Sequence, residues 1–214
     1  MENYVHRSPR VGCRRSANLR IGITFNNVAS LTVSNFVCNQ LAWCVIPYGN
    51  ETLNNVQCVS DILNNICFSS GSDTGNTMTF NNVSACVSHQ PYPKGIIYAG
   101  NATLNLTGYV GYIKSPSTSP NHIADNGTGN LALTVNNSIF DSNVSGATPY
   151  HLTGTGNTFS GGETGFGNAY VLPDVYNLIF NNTVYTIPNW KAAVTPQDSA
   201  AVTTGSGLSA CTLP

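Results

Sequence analysis

Seven polar residues near the middle of the chain have side chains that could hold a sugar. They are His89, Tyr92, Lys94, Tyr112, Lys114, His122 and Asp125. Lysine and tyrosine side chains can contact a sugar through hydrogen bonds and ring stacking. We expect these residues to lie in the longer loops of the fold, where ligands commonly bind. A solvated loop with ordinary polar residues is the competing interpretation.

Catalysis by these groups has little support in the sequence. A polysaccharide lyase needs a base, an acid and a cation that neutralises the substrate carboxylate, yet no arginine follows Arg20. A glycoside hydrolase needs two carboxyl groups about 5–10 Å apart, and Asp125 and Asp141 do not share the repeat spacing of the chain. Clustered carboxylates for calcium are not visible either, and no cofactor is predicted. We therefore predict that this chain alone does not cleave polysaccharides.

An asparagine pair recurs between short β-prone segments and gives the chain its period. The first residue of each pair stands at Asn26, Asn54, Asn81, Asn136 and Asn181. Degenerate copies at Asn105 and Asn157 bring the mean spacing to about 26 residues. Such a repeat, with short strands and a bend in each copy, is typical of a β-helix. We expect the five asparagines to line one edge and to hydrogen-bond along the stack.

This pattern over residues 21–190 resembles the pectate-lyase-like right-handed β-helix superfamily, whose coils often carry such an asparagine at one bend. The resemblance implies a right-handed parallel β-helix, here of about seven coils. The predicted division of the chain is a basic arm at 1–20, the β-helix at 21–187, and a cap and tail at 188–214.

A second resemblance is confined to the C-terminal segment. Residues 185–193, YTIPNWKAA, followed by Gln197-Asp198-Ser199, resemble the closing segment of many bacterial secreted β-helix repeat proteins. The resemblance implies a strand that leads into a helical turn carrying Trp190. An ordinary amphipathic tail with a buried tryptophan is the alternative.

The cysteines occupy related positions in adjacent repeats. They stand at Cys13, Cys38, Cys44, Cys58, Cys67, Cys86 and Cys211. Without a CxxC pair or closely spaced histidines, they do not indicate a zinc site. Two interpretations remain, namely buried free thiols stacked in adjacent coils, which we favour, and disulfides between coils. Both predict that Cys38 lies near Cys67 and Cys58 near Cys86.

Charge is scarce and concentrated at the start of the chain. Only 8% of the residues are charged, against about 25% in an average soluble domain. The arginine-rich arm could bind an anionic partner, although a solvated tail is the commoner case, and we predict no nucleic-acid partner. The sequence contains no apolar run long enough for a membrane helix and no signal-peptide core near its start. We expect an extracellular, cell-surface or virion location, with any leader missing from this chain.

Three classes of function fit these features. The first is a non-catalytic structural or adhesive module of a surface, secreted or virion protein, associated with carbohydrate. The second is a fragment of a polysaccharide lyase or glycoside hydrolase. The third is ice binding by a flat Thr-x-Thr array, which residues 77–79 and 153–155 match. Because that motif does not recur in every repeat of the sequence, ice binding ranks last.

Overall fold

Short parallel strands make up almost all of the described fold. The computed structural model describes residues 21–25, 29–39, 43–47, 49–60, 66–70, 75–88, 95–114, 120–125, 130–172, 177–194 and 197–201. The strands are β1 Ile21–Phe25, β2 Ser30–Asn39, β3 Trp43–Pro47, β4 Asn50–Ser60, β5 Ile66–Ser69, β6 Asn76–Asn81, β7 Ser84–Val87, β8 Gly95–Ala99, β9 Ala102–Thr107, β10 Val110–Ile113, β11 Asn121–Asp125, β12 Ala132–Asn136, β13 Ile139–Ser142, β14 Thr148–Leu152, β15 Thr158–Ser160, β16 Ala169–Val171, β17 Asn177–Phe180 and β18 Thr183–Thr186. A short helix, α1 (Ile187–Ala193), follows the last strand.

The strands stack in two sheets. An eight-stranded sheet has the order β1-β3-β5-β8-β11-β14-β17-β18, and a ten-stranded sheet has the order β15-β12-β9-β6-β4-β7-β10-β13-β16, with β2 paired to β4. Neighbouring strands come from successive repeats, and every described pairing is parallel except that of β17 with β18. This arrangement confirms the predicted all-β parallel β-solenoid.

A column of left-handed residues bends the ten-stranded sheet into two faces. The first face holds β6, β9, β12, β15 and the first halves of β2 and β4, and the second face holds β7, β10, β13, β16 and the remaining halves. The bend residues have φ values of 55°, 53°, 54°, 67° and 50° at Asn35, Asn55, Asn82, Gly108 and Asn137, respectively. Asparagine and glycine adopt this conformation at lower cost than other residues. The second residue of the asparagine pair therefore makes the bend.

Four coils contain three separate strands, namely β6 to β8, β9 to β11, β12 to β14, and β15 to β17. In each of the two preceding coils, one continuous strand spans both faces of the ten-stranded sheet. These strands are β2 and β4, which are 10 and 11 residues long. The predicted number of about seven coils is therefore too high. Asparagine pairs also occur away from the bend, so counting the pairs does not count complete coils.

The predicted asparagine ladder forms in the middle of the stack. Asn54 and Asn81 are register partners, and the Asn81 Nδ2 donates a hydrogen bond to the Asn54 Oδ1 at 2.9 Å. Asn136 lies in the same column, with Thr107 between it and Asn81. Asn26 lies outside the described residues. Three of the predicted asparagines thus share one column, and the hydrogen bond expected along it is present between Asn54 and Asn81.

The prediction that Asn181 joins this ladder is wrong. Asn181 lies in the turn after β17, in the eight-stranded sheet, and exchanges hydrogen bonds with Asn157. Its Oδ1 accepts from the Asn157 backbone N–H at 2.9 Å, and its Nδ2 donates to the Asn157 carbonyl at 3.0 Å. The asparagine pair therefore marks two different corners of the coil, because every tight corner favours asparagine.

Two disulfides close successive coils at the same place. Cys38 is bonded to Cys44 and Cys58 to Cys67, with Cα–Cα distances of 5.6 and 5.9 Å. Because Cys38 and Cys58 are register partners, the two bridges lie one above the other. Each bridge joins the second face of the ten-stranded sheet to the eight-stranded sheet within one coil. The favoured prediction of free stacked thiols is therefore wrong for these four cysteines.

The predicted register of the cysteines is also wrong, because neither predicted pair shares a column. Register pairing places Cys58 beside Cys38 and Ala85, whereas Cys86 pairs with Val59 and is itself disulfide-bonded. For Cys38 and Cys67 the error comes from the first coil, which advances only 20 residues between the register partners Ser34 and Asn54. An alignment that starts from the Asn26 pair assigns 28 residues to that coil and shifts these two cysteines out of register. Cys58 and Cys86 differ by one position, because they stand four and five residues after the register partners Asn54 and Asn81.

A buried carboxylate and an aromatic cluster close the C-terminal end of the stack. Trp190 of α1 is buried and packs edge-on against Phe159 at a ring distance of 4.9 Å. Its Nε1 donates to Asp198 Oδ2 at 2.7 Å, and the Tyr170 hydroxyl donates to the same oxygen at 2.5 Å. Asn168 Nδ2 donates to the other carboxylate oxygen at 2.9 Å. The strand and tryptophan-bearing helical turn expected of this segment are both present.

Candidate functional site

The predicted sugar-binding residues are spread over different faces of the fold. Three of them lie outside the described residues: His89, Tyr92 and Lys94. Tyr112 lies in β10 on the second face, and Lys114 directly follows that strand. His122 and Asp125 lie in β11, in the eight-stranded sheet. The four described residues are thus placed on strands or at a strand end rather than in the long loops expected from the sequence.

His122 is enclosed in the core of the coil. Its side chain has no solvent exposure, its ring meets Phe140 edge-on at 5.4 Å, and neither ring nitrogen has a hydrogen-bond partner. Burial lowers the pKa of His122 to about 3, although the backbone of Asp141 opposes part of this shift. The imidazole is therefore neutral at physiological pH and is removed from the surface, so the expected loop position is wrong.

A glycine makes room for this imidazole. A Cβ at Gly111 would lie 2.5 Å from His122 Nδ1 and 2.5 Å from the Tyr109 hydroxyl oxygen. Gly111 belongs to the same register column as Cys58, and His122 belongs to the column of Cys67. The place that a disulfide occupies in one coil is thus filled by a histidine against a glycine two coils later.

Asp125 accepts hydrogen bonds at a corner of the coil. Its Oδ2 accepts from the Gly154 backbone N–H at 2.7 Å, and its Oδ1 accepts from the Thr153 hydroxyl at 3.0 Å. Asn157 Nδ2 lies 3.4 Å from Oδ2 as a further donor. Because these donors belong to the next coil, Asp125 joins adjacent coils.

Two residues that the sequence analysis did not select lie beside Asp125. Tyr98 and His151 are half-buried and are register neighbours through Ala124. Burial and, as the smaller cause, the Asp125 carboxylate raise the pKa of Tyr98. Burial lowers the pKa of His151, and the Asp125 carboxylate opposes that shift. We call Tyr98, Asp125 and His151 the Tyr98 patch. These three residues are about one repeat apart in the sequence, and that spacing could have revealed the patch. The assignment of residues to columns nevertheless required the structure.

Tyr112 and Lys114 remain accessible. Tyr112 is half-buried with Asp141 as its register partner, and Lys114 is exposed. Burial, followed by the nearby Asp141 carboxylate, raises the pKa of Tyr112. The Tyr112 ring is therefore a neutral surface group that keeps both an apolar face and a hydroxyl for a ligand.

Glu51 is a further buried ionisable group. It points into the core between the register partners Leu31 and Met78, and neither carboxylate oxygen has a hydrogen-bond partner. Burial raises the pKa of Glu51 well above its ordinary value. Such an acid is destabilising when it is charged, because burial without a partner disfavours ionisation.

Within the described ranges, no group of three or more His, Cys, Asp or Glu residues could hold a metal ion. No described helix is long and apolar enough to cross a membrane. Comparison with protein-family models, curated proteins and solved structures finds no match to this chain.

Proposed function

We propose that this chain is a non-catalytic structural or adhesive module of a secreted, cell-surface or virion protein, with carbohydrate as its ligand class. The main support is the placement of its acidic side chains. Of the five acidic residues in the part of the chain that the structure describes, Glu51, Asp125, Asp141 and Asp198 are buried and Glu163 is exposed. Asp125 and Asp198 accept hydrogen bonds from the chain itself. Asp125 and Asp198 thus connect segments of the chain, and Glu51 lies in the core away from any substrate.

The disulfides support the proposed extracellular or virion location. Disulfides persist in oxidising environments and are rare in reducing ones, and here they close two successive coils. Membership of the pectate-lyase-like superfamily is part of the same proposal. It is supported by the parallel stacking of the strands and by the asparagine bends.

The accessible tyrosines are the proposed carbohydrate contacts. Tyr98 and Tyr112 each expose part of a ring, and Lys114 and His151 stand near them in sequence or register. An aromatic ring with a hydroxyl offers both an apolar surface for a sugar ring and a hydrogen-bonding group. These residues therefore combine the two kinds of contact that a sugar requires.

A fragment of a polysaccharide lyase or glycoside hydrolase is the second candidate. The Tyr98 patch favours it, because a phenol, an imidazole and a carboxylate are groups that enzymes use for proton transfer. The hydrogen bonds that Asp125 accepts from Thr153 and Gly154 weigh against it. Both carboxylate oxygens of Asp125 accept hydrogen bonds from the next coil, so this residue joins two coils.

Parallel binding and cleavage assays separate these functions. The oxidised chain is tested by affinity electrophoresis in gels containing pectate, alginate or a neutral glucan, and each polymer is assayed for new reducing or unsaturated ends. We expect retardation without cleavage. Retardation should weaken in Tyr98→Ala and Tyr112→Ala but not in Val184→Ala, which changes an exposed side chain elsewhere. Turnover that is lost in His151→Ala would favour the enzyme instead, and migration unaffected by every polymer would contradict the carbohydrate assignment.

A further inference from the structure

The outward side of the first face is an array of small uncharged side chains, all of them polar except one alanine. Strands β2, β4, β6, β9, β12 and β15 stack in register there, and their outward residues alternate with inward residues that are apolar except for Glu51. We call these outward residues the polar lattice: Ser30, Thr32, Ser34, Asn50, Thr52, Asn54, Thr77, Thr79, Asn81, Thr103, Asn105, Thr107, Ala132, Thr134, Asn136, Thr158 and Ser160. All of them except Ala132 carry a hydroxyl or an amide, and none is charged or aromatic.

The lattice repeats in two directions. Parallel strands stand about 4.8 Å apart, and outward residues along one strand stand about 6.6 Å apart. The middle column runs without a break through Thr32, Thr52, Thr79, Asn105, Thr134 and Ser160. With three columns and the spacings of a parallel sheet, the array covers roughly 24 by 13 Å. Among the lattice strands Thr-x-Thr itself occurs only at residues 77–79, and the other strands carry Ser, Asn or, at residue 132, Ala in place of one or more threonines.

Hydrogen bonds between coils fix several of these side chains. Asn81 Nδ2 donates to Asn54 Oδ1 at 2.9 Å, and the hydroxyl oxygens of Thr134 and Ser160 are 2.9 Å apart. Such pairing limits the rotamers of the exposed groups before any ligand arrives. Preorganisation of this kind lowers the entropic cost of binding an ordered surface.

The composition of the lattice excludes most classes of partner. An anionic polymer or membrane surface needs Lys or Arg, a protein interface favours aromatic, Met or Arg anchors, and a sugar chain favours a ring on which to stack. None of these residue types occurs in the lattice. What remains is a surface of neutral groups that both donate and accept hydrogen bonds, repeated in two dimensions. Crystalline water has this chemistry and this kind of periodicity.

We propose that the polar lattice binds ice. The threonine methyl groups and hydroxyls, together with the asparagine amides, hold a layer of water molecules in a regular array that merges with the crystal surface. This activity is independent of the carbohydrate contacts proposed at Tyr98 and Tyr112, which lie on other faces of the fold.

Adsorption to ice and thermal hysteresis test this proposal directly. The full oxidised chain is exposed to a growing ice surface, and the protein incorporated into the ice is compared with that left in the liquid. Thr79→Tyr and Thr52→Tyr place a bulky ring at the centre of the lattice, whereas Gln57→Tyr places the same ring at an exposed position beyond the bend of β4. Circular dichroism and thermal unfolding establish that each variant retains its fold.

We expect the wild type and Gln57→Tyr to enter the ice and to depress its growth temperature. Thr79→Tyr and Thr52→Tyr should lose most of this activity with unchanged unfolding temperatures. If one of the two lattice variants unfolds, the ice activity of the other variant tests the proposal. Exclusion of the wild type from ice overturns the proposal, as does full activity in a folded lattice variant. Lattice-dependent adsorption to crystalline cellulose or chitin, without adsorption to ice, would assign this face to a polysaccharide and overturn the proposal too.

Discussion

Acid should destabilise this fold through His122. The pKa of this residue in the folded chain is about 3, against 6.5 for an exposed histidine, because the imidazole is buried without a hydrogen-bond partner. Between these values the unfolded chain binds a proton that the folded chain does not bind. Stability is therefore fully present above about pH 6.5 and is lost as the pH falls toward 3.

The size of the effect follows from the shift. One pKa unit corresponds to about 1.4 kcal/mol, so the contribution of His122 to acid unfolding reaches about 5 kcal/mol at the low end of the window. At pH 5 the expected loss is about 2 kcal/mol. That amount is a substantial part of the roughly 5–15 kcal/mol by which proteins are stable, so it should be measurable well before the chain unfolds outright.

Urea unfolding at pH 7.5 and pH 5, followed by tryptophan fluorescence without reductant, measures this loss. His122→Phe keeps an aromatic ring beside Phe140 but cannot titrate, so it should lose about 2 kcal/mol less than the wild type over this interval. Glu51 acts in the opposite direction, because its raised pKa favours the folded state as the pH falls. His151→Gln is the control for a half-buried histidine. Equal losses in the wild type and His122→Phe would refute the assignment to His122.

Three further predictions concern stability at neutral pH and use the same unfolding assay. Replacing Cys58 and Cys67 together by alanine should cost about 2–3 kcal/mol, because the closed loop between them is short; no change in the urea midpoint would contradict a stabilising bridge. Glu51→Leu should raise stability by about 1–3 kcal/mol, because it removes an unpaired acid from an otherwise apolar column. Asp198→Asn should lower stability by about 2–4 kcal/mol and shift Trp190 emission to the red, because the amide NH₂ would replace an oxygen that accepts either from Asn168 or from Tyr170 and Trp190; unchanged emission would show that the cap does not depend on this carboxylate.

The bend was the most predictable part of the fold. Asparagine pairs indicate where the chain needs a residue with a left-handed backbone conformation, and Asn55, Asn82 and Asn137 adopt that conformation. The same local rule failed at Asn181, which meets the same backbone requirement at another corner. A preference that acts on one residue's φ and ψ cannot state which corner of the coil the residue occupies.

The candidate site was less predictable. His122 was selected as a polar residue in a loop, and only the absence of a side chain at Gly111 explains how an imidazole is accommodated in the core. Tyr98 and His151 were missed because their neighbours in space are one coil away in sequence. Polarity in the sequence indicates exposure only where the register is already known.

The sequence by itself determined the class of structure. The chain has few charges, short β-prone runs and recurring asparagines. These features favour a stack of parallel strands that buries the apolar residues. Only the tertiary structure decided which residues share a column, because the advance per coil varies from 20 residues between Ser34 and Asn54 to 30 between Ile139 and Ala169. Local backbone preferences act over a few residues, whereas register is chosen by packing and disulfide pairing across whole coils. The stacking of the Cys38–Cys44 bridge on the Cys58–Cys67 bridge and the continuity of the polar lattice both follow from that register.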